Sequence, residues 1–178
     1  MKVTKLIHSC LLVEKNDKKI LVDPGTYSWQ DDAVRNLDFS GISSVVVTHI
    51  HPDHLSLDFA QKVVEQSPEA IWYGTHEVQS VLQESKISCL VESDTIDIQF
   101  IHSDHADLSP WFAEQPEHTS FLLFGELLIG GDCHTLSSAH GARVLAGAIN
   151  GGPWGAVVGF SKMIESMIDK PEIVLPLH

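Results

Sequence analysis

The sequence predicts an α/β layered protein. Three observations carry this. Apolar runs with a period of two alternate with stretches of helical period. Strands come first with helices interspersed, and the pattern then repeats, so the two halves look alike in outline. No internal repeat, low-complexity tract or linker divides the chain, and 178 residues at 43% hydrophobic content suit one domain, 1–178, with its own core.

The elements follow in order. "KVTKLIHSCLLVE" and "KKILVDP" read as two strands joined at the polar turn "KNDK". "GISSVVVTH" is a third strand, whose β-branched run predicts burial on both faces. From Leu57 to Glu65 the spacing predicts a helix with Leu57, Phe59, Ala60, Val63 and Val64 on one side. "AIWYG" is a short strand and "HEVQSVLQES" a helix. "TIDIQFIHS" alternates as a strand, and a loop rich in proline and acidic residues runs from Asp104 to Glu117. "TSFLLFGELLIGGD" is a hairpin turning at Gly125–Glu126, and "RVLAGAIN" is a strand. "GAVVGFSKMIESMIDK" is a helix stopped by Pro171, and "EIVLPLH" closes the pattern as a strand.

Charge and cysteine content narrow the partners. Eleven Lys and Arg against 24 Asp and Glu give a net charge of −13, a field that repels phosphate backbones and argues against nucleic acid. The N-terminal apolar stretch is too short for a signal peptide core, and no run reaches membrane-spanning length. Cys10, Cys89 and Cys133 are odd in number and irregular in spacing, which suits reduced thiols in a cytoplasm. A small-molecule substrate is the partner these features leave; they specify no oligomeric state.

The stretch "THIHPDHLSLD" places His49, His51, Asp53 and His54 on one short turn behind the run "ISSVVV". Core packing does not ask for this, because each buried polar group needs a partner. Two histidines two residues apart at a strand end point the same way and form a pair of nitrogen donors for a borderline metal such as zinc. Pro52 then bends the chain, so that Asp53 and His54 face a different point. Four donors split two and two suggest two metals.

This stretch carries the H-x-H-x-D-H pattern and resembles the metallo-β-lactamase fold family. Further blocks resemble that family in its own order: "KKILVDPG", "IHSDHADL", "GELLIGGDCH" and "EIVLPLH". "IHSCLLVE" and "GGPW" look most like its branch of small bacterial hydrolases related to ascorbate-6-phosphate lactonase. The resemblance implies a four-layer αββα sandwich. It also implies a dinuclear site, with zinc expected and manganese or iron as alternatives. One metal would take His49, His51 and His105; the other would take Asp53, His54 and His178, with Asp132 shared and Asp23 behind the ligands. A hydroxide held by the two ions would attack a lactone, other ester or phosphoester, and Asp53 would orient it as a base. The family continues beyond its last histidine by a short helix. Here the sequence ends at His178, so either the metal holds residues 172–178 as a strand or the natural chain is longer.

Other residues compete for roles. His102 rivals His105 as the ligand of its loop, with His105 the better match. His134 would sit at the metal rim and protonate a leaving group, or is a surface loop residue. His8 is a site residue or a core histidine. Cys133 stands where the family has Ser or Thr and reads as a small buried filler, with a reactive thiol beside the metals as the alternative. His118 lines the pocket, Trp154 walls it or anchors a loop, and His76 and His140 carry no role. Two other functions compete with hydrolysis: an iron-containing redox enzyme on the same fold, and a non-catalytic metal-binding module.

Overall fold

The computed structural model describes residues 1–107, 114–149 and 156–178, with backbone alone at 156 and 157. Trp154 and part of the expected 104–117 loop lie outside these residues. The chain falls into two compact units, Met1–Val91 and Glu92–His178.

The first unit is a sheet of six strands with four helices. Its elements are β1 (Lys2–Lys5), β2 (Leu11–Lys15), β3 (Lys18–Val22), α1 (Thr26–Gln30), α2 (Asp32–Arg35), β4 (Ser44–Val46), α3 (Leu57–Gln66), β5 (Ile71–Tyr73), α4 (His76–Glu84) and β6 (Cys89–Leu90). The strands lie in sequence order, antiparallel from β1 to β3 and parallel from β3 to β6.

The expected first strand is in fact two. The chain turns back at Leu6–Cys10, where Leu6 N–H donates to Cys10 O (2.9 Å) and His8 takes a positive φ of 58°. Val3 then pairs with Val13. The break escapes local reading because distant groups hold it: Ser28 Oγ donates to Ile7 O (2.6 Å), and Ser9 Oγ donates to Asp53 O (2.8 Å). The next turn is where the sequence places it, with Asn16 and Asp17 at φ 51° and 59°, the left-handed pair a tight hairpin needs.

β4 sits between two parallel neighbours, and Val45, Val46 and Val47 are all fully buried, as the β-branched run predicts. α3 starts at Ser56, whose side chain accepts from Phe59 N–H, and α4 starts at Thr75, whose hydroxyl accepts from Val78 N–H. The buried face of α3 is Phe59, Ala60 and Val63; Leu57, expected on that face, is exposed in the first turn. Phe59 meets Phe39 edge-on at 4.9 Å and stacks near Trp29 at 5.3 Å. α1 and α2 are too short to show a period in sequence. Asp31 caps α2 by accepting from the backbone N–H groups of Ala33 and Val34.

The second unit repeats the scheme. Its elements are β7 (Ile98–His102), β8 (Thr119–Leu123), β9 (Leu127–Gly131), β10 (Val144–Ala148), α5 (Ala156–Ser166) and β11 (Ile173–Leu177), with strand order β11-β10-β9-β8-β7. It is antiparallel from β7 to β9 and parallel from β9 to β11. On β7, Phe100 N–H donates to Asp94 Oδ1 (2.8 Å) and Ile98 N–H to Thr95 Oγ1 (3.0 Å). The β8–β9 turn centres on Phe124 and Gly125, one residue earlier than expected, because these two adopt positive φ and Glu126 N–H closes onto Leu123 O (3.0 Å). Phe160, Met163 and Met167 form an apolar cluster with Leu128, Cys133, Leu136 and Leu145. α5 stops at Ser166, short of the expected Lys170, because the chain is captured before Pro171: Ile168 N–H donates to Ser137 O (2.9 Å).

The same capture places the Asp169 carboxylate under the 138–141 loop. It accepts from the Ser138 hydroxyl, Ala139 N–H (2.9 Å) and Gly141 N–H (2.8 Å). These donors, the Ser138 hydroxyl foremost, hold its pKa down at about 2 against an ordinary 3.8. A depressed carboxyl pKa stabilises the fold above the unfolded value, and that contribution is lost as pH falls through the folded one. The Gly141 amide resonance is therefore expected to titrate with a midpoint near 2, and Asp169→Asn is expected to abolish that titration. A midpoint at the ordinary carboxylate value would show that the loop does not hold the charge.

Candidate metal centre

In the first unit the histidine turn is built by five backbone hydrogen bonds. Val47 N–H donates to Tyr73 O (2.9 Å), carrying the chain straight past the end of β4. His54 and Leu55 N–H both donate to His51 O (2.9 Å each), closing the turn at Pro52. The loop after β3 clasps it from below, with Thr26 N–H on Pro52 O (2.7 Å) and Ser56 N–H on Pro24 O (2.9 Å).

The donors converge as a result. His49 Nε2 and His51 Nδ1 stand 3.0 Å apart, with their rings at 79°. His49 and His54 are fully buried, their ring centroids 4.0 Å apart. Asp53 Oδ2 lies 3.7 Å from His54 Nε2 and 3.8 Å from His8 Nδ1. His8 also packs against Tyr27, ring to ring at 4.8 Å, so it stands beside the turn. Asp23, fully buried, accepts from Thr48 and contacts His54 Nδ1 at 2.9 Å.

The second unit gathers its own set. His105 is buried and bridges to Cys133 in antiparallel fashion. Ala106 N–H donates to Asp132 O (2.8 Å), and His105 Nε2 is 3.7 Å from Asp132 Oδ2. Asp132 follows β9, and its Oδ1 is 3.1 Å from Nε2 of His178, which follows β11. Residues 173–177 form a strand in register with β10, so pairing with a neighbour orders the segment before His178.

The remaining candidates fall elsewhere. His102 ends β7 and is exposed. His118 is buried, with Nδ1 2.9 Å from Ser103 Oγ and its ring 5.9 Å from that of His105. Cys133 is fully buried, and its sulfur accepts from Thr135 N–H (3.2 Å). His134 donates from Nε2 to Ala148 O (3.3 Å), and a Cβ on Gly159 would come 2.8 Å from its Nδ1. His76 and His140 are exposed. Thr48 joins these residues, though sequence patterns mark it only faintly. Its signal was a hydroxyl directly before the first histidine of the run, at the end of a strand buried on both sides.

The chemistry of the donors fits a metal. His105 Nδ1–H donates to Ala106 O (2.8 Å), which leaves the lone pair of the ring on Nε2, the atom beside Asp132. Two nitrogens held tetrahedrally by one zinc-like ion lie roughly 3.3 Å apart. The 3.0 Å between His49 Nε2 and His51 Nδ1 is close to that spacing. Carboxylates and neutral imidazoles are the ligands such an ion accepts.

Comparison with known proteins agrees. A family model described as the metallo-beta-lactamase superfamily matches residues 3–144. A Mycobacterium tuberculosis protein, Protein Rv0786c, is 33% identical over 84 residues, which are 47% of this chain and 37% of that protein. The match thus spans little more than a third of the curated relative. Among solved structures, Igni18, a metallo hydrolase from the archaeon Ignicoccus hospitalis, superposes with a TM-score of 0.67 at 18% identity, covering 99% of this chain and 81% of that one. A diphosphatase of the PhnP family gives 0.60 at 15% identity, covering 96% and 75%. At these identities the structures show the fold alone, and it is the one the sequence predicts.

Gly25 tests how the turn is carried. A Cβ there would lie 1.8 Å from Asp53 O and 2.7 Å from His54 N, both backbone atoms. Gly25→Ala must therefore push the donor turn away, at a cost of about 1–3 kcal/mol or more by the usual penalty for overpacking. The denaturant midpoint is expected to fall accordingly; an unchanged midpoint would show that the turn yields freely.

Proposed function

Because the chain belongs to the metallo-beta-lactamase superfamily, we propose that it is a metal-dependent hydrolase whose two donor sets serve one pair of ions. By the sequence resemblance, one ion would take His49, His51 and His105 and the other Asp53, His54 and His178, with Asp132 shared. The observation that carries this reading is the 3.0 Å approach of two imidazole nitrogens, His49 Nε2 and His51 Nδ1. When bound, the ions supply a Lewis acid and a water acidic enough to ionise near neutral pH. Zinc is the ion we propose for these imidazole and carboxylate donors, with manganese or iron as alternatives.

The chain's own groups do the rest. Asp53, beside His8 and His54, takes the proton of the attacking water. His134 gives a proton to the leaving group, for which it must release the Ala148 carbonyl. The full burial of His49 and His54 keeps bulk water from weakening the charges they face. Burial pushes the Cys10 thiol up, and the Cys89 thiol up to about 12, so neither is a nucleophile in this reading. All three cysteines are unpaired and buried, in keeping with a reducing cytoplasm. Among the described residues no helix is long and apolar enough to cross a membrane. With a net charge of −13, the substrate we propose is a lactone, other ester or phosphoester of a small molecule rather than a nucleic acid. The lactonase-like branch supplies the lactone option by analogy of sequence.

Elemental analysis of the dialysed protein is expected to find about two ions per chain. Chromogenic lactones and phosphodiesters should be hydrolysed in a chelator-sensitive way. Asp132→Asn is expected to lower the metal content and abolish that hydrolysis. Iron with visible colour and no hydrolysis would favour a redox enzyme, and bound metal with no turnover on any substrate would favour a binding module.

His134→Gln separates two roles, since the amide still donates to Ala148 O but has no titratable proton. Loss of turnover at unchanged thermal stability is expected. Unchanged turnover would remove His134 from the reaction.

A further inference from the structure

His49 and His54 serve different ions in the reading above, yet both rings meet one residue. Thr48, Asp23, His49 and His54 are all fully buried. Asp23 is bent out of the line of β3 at φ 45°, in the left-handed region, directly before Pro24. A side-chain-bearing residue held there is strained, and such strain collects where a side chain must be aimed. Its carboxylate is aimed at Thr48: Oδ1 accepts from Thr48 N–H (2.8 Å) and Oδ2 from the Thr48 hydroxyl (3.0 Å).

The remaining protons follow by elimination. A carboxylate only accepts, so His54 Nδ1, 2.9 Å from Asp23 Oδ2, must carry a hydrogen. The hydroxyl of Thr48 has a single hydrogen, which goes to Asp23. Its oxygen can therefore only accept from His49 Nδ1 at 3.0 Å, and His49 Nδ1 is protonated as well. Thr48 Oγ1 also lies 3.3 Å from His54 Nδ1, on the same side as Asp23. Both rings are thus Nδ1–H tautomers with their lone pairs on Nε2.

We propose that Thr48 is a positioning residue that, with Asp23, sets the tautomer and ring angle of one donor for each ion. The Asp23–Thr48 pair thereby links one donor of each ion. His54 keeps its direct bond to Asp23 without Thr48, whereas His49 loses the hydroxyl at its Nδ1, so the two rings respond differently to its removal.

The metal role rests on the two-ion reading, but the first measurement does not. In the metal-free full-length chain, long-range 1H–15N correlation of the imidazoles is expected to show Nδ1 protonated on His49 and His54. Thr48→Val, which keeps the shape and removes the hydroxyl, should turn His49 into a tautomer mixture and leave His54 unchanged. Thr48→Ser should restore the wild-type pattern. In zinc titrations, Thr48→Val should weaken the ion held by His49 by about 10- to 100-fold, the usual effect of losing a group that orients a ligand, and Thr48→Ser by far less. An unchanged His49 tautomer in Thr48→Val overturns the positioning role and leaves the reading of the site standing. Failure of the wild type to take up zinc overturns that reading itself. Should Thr48→Val not fold, the wild-type spectrum decides, since Nε2 protonation of His49 contradicts the hydrogen-bond order.

Discussion

Asp23 stands just past the end of β3 with no exposed surface, and its carboxylate meets a backbone N–H, a hydroxyl and an imidazole. Each of those groups is buried, and each would cost about 1–3 kcal/mol if left without a partner. The carboxylate in turn is tolerable inside the protein only because these groups satisfy it. The arrangement is mutual. It joins the loop after β3 to the chain leaving β4, and so fixes where the histidine turn begins. The backbone ties from Thr26 and Ser56 to that turn and its flank complete the clasp.

The second half uses a different economy. Among its described residues no fully buried carboxylate stands behind its donors; the backbone orients them instead. His105 is turned by the carbonyl of the next residue, and Asp132 is drawn to the same loop through Ala106 N–H. His178 arrives on a strand whose position is set by five paired residues of β10. Side-chain hydrogen bonds fix angle and tautomer in the first unit, while strand register fixes placement in the second.

What could be read from the sequence follows this difference. The cluster from His49 to His54 was legible because imidazoles in such density have no packing purpose, and the burial of β4 was legible because three valines in a row fit only a two-sided core. The hairpin at Asn16–Asp17 announces itself by residues that tolerate positive φ. By contrast, the turn at Leu6–Cys10 depends on Ser9 and Ser28 reaching groups far along the chain, 44 and 21 residues away, and no local pattern records that. α1 and α2 are shorter than the window over which helical period can be seen. His102 ends an alternating stretch and His105 follows it, and periodicity alone leaves both open; the end of β7 at His102 and the bridge from His105 to Cys133 distinguish their surroundings. Thr48 is only faintly marked, for another reason. Its importance lies in having one hydrogen to give, and that matters only once Asp23 is seen to receive it.

The lead-in to β7 has a consequence for how the protein behaves in a crowded solution. Edge strands invite a second chain to add to the sheet, because their outward N–H and C=O groups are ready to pair. On β7, Asp94 and Thr95 already occupy the N–H groups of Phe100 and Ile98, and Thr95 N–H takes the Ile98 carbonyl (2.7 Å). The other edges are blunted by other means: β1 begins and ends on lysine, β6 is two residues long, and β11 carries Pro176, which has no N–H to offer. Ile173 and Val174 on β11 are exposed, and on an uninterrupted strand they would be a template for aggregation. Beside a proline, they offer an incoming chain little to grow on.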